Sequence, residues 1–450
     1  MLKQLFVFVI SFVSTSLCIN AQNRTSADTI PFMNLDQCIV YALEHQPGVM
    51  QTGINIEIAK KNNAINLSAW LPQVNLSGTY THYDQLPTTF SINPSNPDGP
   101  LIKGHPGVNN TFIPEISATQ TIFSPDVLYA AQSAHLFVQQ AQEASDSTKI
   151  NVIATVSSSF YNLLLTLEQM NVLKEDTARL AKNLRDTYHQ YVGGIVDKTD
   201  YKEATISLNN SKAQLKQVVE NVRPQYAALK QVIGFPPDKQ FSVTVDTVQM
   251  MKQIIADTVV ALQYEKRIEF QQMQTEKKLQ LASLKYFRTQ YLPTLSAFYN
   301  YYYEYESDAV STLFPQAYPY SYIGASINIP LFTGMRRQES IQKVKLQGQL
   351  LDYAETGLKS RIYSEYTTAL ANYKTNLYDL TLMRSNEDMA KDVYGVVSLQ
   401  YKQGIVPYLN VITAESNLIS SEMSYLNALF QVLLSKVELE KAMGTTTYKH

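Results

Sequence analysis

Cysteine is nearly missing from this chain. Of the two present, Cys18 falls in a leader-like start and Cys38 stands alone beyond it, so the mature chain is expected to hold no internal disulfide. A surplus of either charge is missing too. The 37 Lys and Arg against 39 Asp and Glu leave a formal net charge of -2, which lacks the electrostatic footprint of a nucleic-acid binder. Beyond the start there is no run of about 18 or more uncharged apolar residues, which excludes an ordinary transmembrane helix. If the chain enters a membrane, it does so as a β-barrel. The motifs that carry chemistry are also missing. There is no His-Glu-x-x-His, Cys-x-x-Cys, Gly-x-Ser-x-Gly or phosphate-binding loop, and Gly357-Leu358-Lys359-Ser360 lacks the glycine that should precede it. The histidines His45, His82, His105, His135, His189 and His450 are scattered and form no ligand set. The chain therefore reads as a non-enzyme, with no catalytic, metal or cofactor residues assigned.

What is there begins with Lys3 and the run Leu5-Phe6-Val7-Phe8-Val9-Ile10, softening into Ser14-Thr15-Ser16 before Ala21. That is an export signal over residues 1–21. Lipidation of Cys18 is the rival reading, but Leu17 is larger than the small residue a lipobox places there. The rest says nearly the same thing twice. Tyr191-Val192-Gly193-Gly194-Ile195-Val196 returns as Tyr401-Lys402-Gln403-Gly404-Ile405-Val406, about 210 residues on, and Gly234 returns as Gly444. Leu71-Pro72 returns as Leu292-Pro293, and Thr121-Ile122-Phe123 as Pro330-Leu331-Phe332. The first copy carries about a dozen extra residues between these last two landmarks, which marks a repeated architecture with one growing loop. The repeats are placed at 22–234 and 235–450.

The segments after each Leu-Pro alternate with period two. Val74, Leu76, Gly78 and Tyr80 oppose Asn75, Ser77, Thr79 and Thr81, and the alternation recurs over Leu295–Tyr303, Ile116–Ile122 and Ile323–Ile329. This predicts strands at about 73–83, 113–123, 294–305 and 321–331, each near the length that crosses a tilted barrel wall, with small polar residues suited to a watery lumen. The tyrosines from Tyr299 to Tyr305, with Tyr318, Tyr320 and Tyr322, suit an interfacial belt. The Pro, Gly and Asn-rich connection from Asp84 to Asn110 suits an outward surface loop.

Nearly everything else carries helical spacing. Heptad-like seams run Tyr201, Ala204, Leu208, Ser211, Leu215 onward to Val232, and Leu409, Ile412, Ser416, Ile419, Met423 onward to Val437, which implies coiled coils. The helices before them, from about Asp126 to Val192 and from Met335 to Gln403, would each be ~100 Å long at 1.5 Å per residue. Gly194 and Gly404 then turn the chain at the tips of two long antiparallel hairpins. Pro224 inside the first returning helix predicts a kink. Four strands cannot close a barrel, since single-chain barrels begin at about eight, so closure requires an oligomer. The fold class is a membrane β-barrel continued by a long α-helical coiled-coil barrel.

These features together resemble the TolC-type outer membrane efflux proteins of Gram-negative bacteria, over essentially the whole mature length. The residues that carry the resemblance are Leu35-Asp36-Gln37-Cys38-Ile39-Val40-Tyr41-Ala42-Leu43 with Pro47, the two Leu-Pro strand starts, Pro330-Leu331-Phe332 with Gly334, and the two tip glycines. Cys38 stands where the family usually has alanine and is expected to be a small buried thiol. The resemblance implies a homotrimer with a twelve-stranded barrel in the outer membrane and a helical tunnel in the periplasm. It implies an exit duct of a tripartite efflux or type I secretion system, docked through a periplasmic adaptor to an inner-membrane pump of RND, ABC or MFS type. It also implies a gate at the periplasmic end, latched by Tyr401 bonded to Asp200, and adaptor docking at Gly193, Gly194, Ile195, Gly404 and Ile405. Two departures stand out. Val406 occupies the place of an arginine latch, and Asn410 and Thr413 occupy the places where some members ring the aperture with carboxylates. A three-fold ring of these would be polar and uncharged. The competing reading is an exported soluble coiled-coil scaffold without a pore, which leaves the four repeated strands without a purpose.

Overall fold

The computed structural model describes residues 32–446 apart from 93, 96–97, 245–253 and 255–261, so the expected leader and Cys18 lie outside the described residues. Strand β1 (Phe32–Met33) leads into helix α1 (Leu35–His45). A capping box starts that helix: Gln37 N–H donates to the Asn34 side chain at 2.8 Å, and Asn34 N–H donates to the Gln37 side chain at 2.9 Å, satisfying two of the donors a helix start leaves orphaned. Helix α2 (Pro47–Ser68) opens with proline in its first turn, where no backbone N–H is needed. Then come β2 (Gln73–His82), β3 (Thr89–Ser91), β4 (Ile102–Gly104) and β5 (Asn110–Phe123), followed by α3 (Pro125–Val192) and α4 (Lys198–Ile233). Strand β6 (Ser242–Val243) pairs with β1 in parallel. The second copy repeats the plan with α5 (Ile268–Thr289), β7 (Thr294–Ser307), β8 (Tyr318–Asn328), α6 (Arg336–Lys402) and α7 (Tyr408–Met443).

The main sheet has the order β2-β5-β7-β8, antiparallel at each joint, and among the described residues both outer strands are unpartnered along one edge. Its pleat sorts the side chains. One face carries Val74, Leu76, Ile116, Ala118, Ile323 and Ile327, while the other carries Asn75, Ser77, Ser117, Thr119 and Asn300. The same pleat divides the tyrosines expected to form a belt. Tyr299, Tyr301 and Tyr303 fall on the apolar face, whereas Tyr302, Tyr320 and Tyr322 fall in register with Glu115 and Ser117 on the polar one. A single interfacial belt is therefore incorrect, because adjacent tyrosines in a strand must point to opposite sides.

Strand β8 sits three residues earlier than the 321–331 span expected for it. Thr294 pairs with Asn328, so β7 has no residue left to pair beyond that point. Pro330 then brings no N–H for a ladder. The Asp84–Asn110 connection, expected as an outward surface loop, carries the short β3–β4 ribbon, with Thr89 opposite Gly104.

The helices form two hairpins, α3 with α4 and α6 with α7, joined along α3 and α7. At 68 and 67 residues, α3 and α6 each span roughly 100 Å. Pro224 sits within α4, which remains one helical element through it. The principal core lies midway along α3 and α6, where the returning helices α4 and α7 end. There Val156, Phe160, Leu163 and Leu164 of α3 meet Cys38 and Ala42 of α1, Leu229 and Ile233 of α4, Tyr373 of α6, and Phe430 and Leu433 of α7. Burial pushes the Cys38 thiol up to about 12, so it behaves as a small apolar group. Contrary to the sequence expectation, one 18-residue stretch of α3, with a mean hydropathy of 1.4, is long and apolar enough to cross a membrane by length and composition alone, and half of it is buried inside the structure.

Candidate functional site at the helix tips

Both hairpins turn in the same way. Gly194 and Gly404 each adopt φ 73°, and open space lies where a Cβ would stand, with no heavy atom within 4 Å, so the requirement for glycine is purely a backbone one. Ile195 N–H donates to Gln190 O and Ile405 N–H to Gln400 O, each at 2.9 Å, while Gly194 and Gly404 donate to Tyr191 O and Tyr401 O. These are paired Schellman turns. They push Ile195 and Ile405 outward, 76% and 65% exposed.

Just above the turns, Ala204 of α4 packs with Tyr408 and Val411 of α7, flanked by Leu184 of α3 and by Tyr394, Val397 and Tyr401 of α6. All four long helices meet there. The Tyr401 hydroxyl donates to Gln190 Oε1 at 2.6 Å. Its partner is therefore Gln190 of α3, and the Tyr401–Asp200 bond expected from the resemblance is not made. Asp200, on the first turn of α4, has no hydrogen bond or ion pair among the described residues, although its charge joins burial in raising the Tyr401 phenol. Burial, then the neighbouring Asp197, raises Asp200 itself. Asn410 and Thr413 are exposed on α7, and the Thr413 hydroxyl donates back to Leu409 O at 2.9 Å.

Between these tips and the core lies a charged knot that the heptad reading stepped over. The tip-proximal seam of α7 is formed by Tyr408, Val411, Ala414, Glu415 and Leu418, all buried, while Leu409 and Ser416, placed in that seam by sequence, are exposed. Glu415 is 1% exposed and Asp176 of α3 is fully buried. Arg179 serves both: it pairs with Asp176 one helical turn away, and its Nε lies 3.2 Å from Glu415 Oε1. Asn183 adds a bond to Glu415 Oε2 at 3.1 Å, and the Arg179 guanidinium lies 5.3 Å from the Tyr394 ring centre. Asp176 Oδ2 is buried without a partner. Burial raises the Asp176 carboxyl to about 7, with Arg179 opposing and Glu415 and Glu422 reinforcing the rise. Burial also raises Glu415 against the pull of Arg179. Two carboxylates sharing one guanidinium couple α3 to α7, and the sequence signal for them was a glutamate at an apolar-spaced position.

Among the described residues no group of His, Cys, Asp and Glu could hold a metal ion.

The sequence profile of outer membrane efflux proteins matches residues 38–235 and 261–445 of this chain. Outer membrane protein TolC of Vibrio cholerae is 20% identical over 440 residues, covering 95% of this chain and 94% of that protein. Among solved structures, the CmeC outer membrane channel of Campylobacter jejuni matches with a TM-score of 0.71 at 18% identity, over 91% of this chain and 85% of that one. The MtrE outer membrane channel of Neisseria gonorrhoeae, solved in its open state, matches with a TM-score of 0.68 at 19% identity, over 95% and 96%. These structural likenesses speak to the fold.

Proposed function

The chain belongs to the outer membrane efflux protein family, an outer membrane duct with a periplasmic helical extension, and from that premise we propose that three copies close one twelve-stranded barrel. The open edges of the four-stranded sheet carry this reading: β2 of one copy has β8 of the next as its natural partner, and closure alone removes both edges from lipid. Two unpartnered apolar stripes support it. Met50, Ile54, Ile58 and Ile65 recur at helical spacing on α2, and Leu346, Leu350 and Tyr353 on α6, all exposed in the single chain. The repeats 22–234 and 235–450 each contribute two strands and one hairpin to this ring. The soluble scaffold reading has no comparable support.

The duct is passive, and a periplasmic adaptor and an inner-membrane pump of RND, ABC or MFS type supply selection and energy. The tips Gly193-Gly194-Ile195 and Gly404-Ile405 receive the adaptor, since two exposed isoleucines on rigid turns give it apolar anchors. The Tyr401–Gln190 bond acts as the latch between the hairpins. Such a bond is worth about 0.5–1.5 kcal/mol, enough to bias a gate and weak enough for a partner to break. Asn410 and Thr413 face the aperture and leave it uncharged. Native mass spectrometry and planar-bilayer recording of the detergent-purified protein test this together. A trimer with small, rarely opening currents is the expected result, while a stable monomer that gives no current would overturn it.

A further inference from the structure

We propose that the barrel lumen carries a binding track for organic cations with a flat apolar body, formed by Phe298, Tyr302, Tyr320 and Tyr322 with Glu115 and Glu304. This rests on the barrel reading above, in which the polar sheet face lines the lumen. The rings form a continuous platform on that face. Phe298 meets Tyr322 edge-on at 6.1 Å, Tyr322 stacks on Tyr302 at 5.8 Å, and Tyr302 stacks on Tyr320 at 4.8 Å with 13° between planes. The platform is held in place by its surroundings. A Cβ on Gly324 would meet the Phe298 ring at 2.5 Å, so the glycine leaves the space in which that ring lies across β8. The Tyr302 hydroxyl donates to Glu115 Oε1 at 2.8 Å, and Asn300 Nδ2 donates to the Tyr322 oxygen at 3.1 Å.

Charge selects the occupant. The four strands β2, β5, β7 and β8 contain no lysine or arginine, and their only charged residues are Glu115, Glu304 and Glu306. All three share the tyrosine face: Glu115 is paired with Tyr302, Glu304 with Tyr318, and Glu306 follows at the same parity. None has an ion pair with a cation among the described residues. Aromatic faces beside carboxylates attract a cation through both the ring quadrupole and direct charge. A sugar would use the stacked rings but leave the carboxylates unmatched. The platform also stays open on closure of the ring, because strand β2, which meets β8 across the joint, brings only Gln73, Asn75, Ser77, Thr79 and Thr81 to this face, none of them aromatic or charged. A solute rising from the helical end passes Phe298 and Tyr322 first, then Tyr302 and Tyr320, then Glu304 and Glu306. The aperture below is uncharged, so preference for cations arises in the barrel.

The test is calorimetric titration of the full-length oligomer in detergent with benzyltriethylammonium, benzyl alcohol and glucose, beside bilayer recording of the same preparations. The expected result is binding of the cation in preference to both neutral probes. Tyr302→Leu and Tyr320→Leu should each weaken it about 3- to 5-fold, the range of an exposed cation–π contact. Glu115→Gln and Glu304→Gln should weaken the cation and leave benzyl alcohol unchanged, and Tyr302→Phe, which keeps the ring, should retain most of the affinity. Equal binding of cation and benzyl alcohol, preference for glucose, or indifference to all four substitutions would overturn the proposal. Conductance without cation binding sinks the track and spares the barrel; absence of conductance sinks the barrel reading, and the calorimetry still reports on the platform.

Discussion

Replacing Asp176 by asparagine should remove a pH dependence built into the helical tunnel. Asp176 is fully buried, one of its oxygens has no partner, and its carboxyl is raised from 3.8 to about 7 by burial despite the adjacent Arg179. At about 1.4 kcal/mol per pH unit, a rise of roughly three units amounts to a ceiling of about 4 kcal/mol. Because the folded chain holds this proton more tightly than the unfolded one, the contribution to stability is complete below pH ~4. It is lost as the pH climbs towards 7, and is flat above. The asparagine variant has no proton to hold, so it should lack this slope and be at least as stable as wild type near pH 7.5. Arg179 remains neutralised there by Glu415 at 3.2 Å. A smaller slope of the same sign should persist in the variant from Glu415, which burial also raises, with Glu422 and Lys391 as the charged groups nearby. Peptide-resolved hydrogen exchange over residues 170–190 and 405–425 at pH 5 to 8, corrected for intrinsic exchange, measures it. If wild type and variant lose protection in parallel with rising pH, the buried carboxylate is not the cause and the reasoning fails.

Five other substitutions probe three separate places in the fold. Tyr401→Phe removes the bond to Gln190 at 2.6 Å, worth about 1 kcal/mol, so channel openings in planar bilayers should become roughly 5-fold more frequent; Asp200→Ala should leave them unchanged, and the reverse pattern would return the latch to Asp200. Gly404→Ala forces a left-handed alanine into open space, at a cost of about 1–2 kcal/mol, and should speed hydrogen exchange at 400–408 without loss of the trimer. Val74→Lys puts a charge on the apolar sheet face, at a cost of about 2–4 kcal/mol if that face meets the bilayer midplane, whereas Asn75→Lys one residue on should be tolerated. Equal heat stability of those two oligomers on gels would mean that the faces are assigned wrongly.

What the sequence made legible was local and periodic. The tip glycines at 194 and 404 announce themselves because a left-handed glycine commonly ends a helix, and the strands after Pro72 and Pro293 because alternation survives without knowledge of the partner. The parity of the tyrosines was equally readable, since Tyr301 and Tyr302 cannot share a face, but composition spoke louder than pleat. The Tyr401 partner was not readable. Choosing Gln190 over Asp200 depends on how α6 is rotated and shifted against α3, and packing across 211 residues of chain separation decides it. Glu415 was hidden for a related reason. A heptad pattern tolerates a shift of one position when apolar residues flank both options, as Val411 and Ile412 do, and the buried glutamate becomes acceptable only because Arg179, 236 residues away, arrives to meet it. The two contacts lie at different heights on α3. Tyr401–Gln190 closes α3 on α6 at the tip, and Arg179 ties α3 to α7 further up. Under the latch proposed above, breaking the first should free the tip while the second keeps the hairpins in register, so that a gate would open at one end of a ~100 Å helix without unzipping the rest.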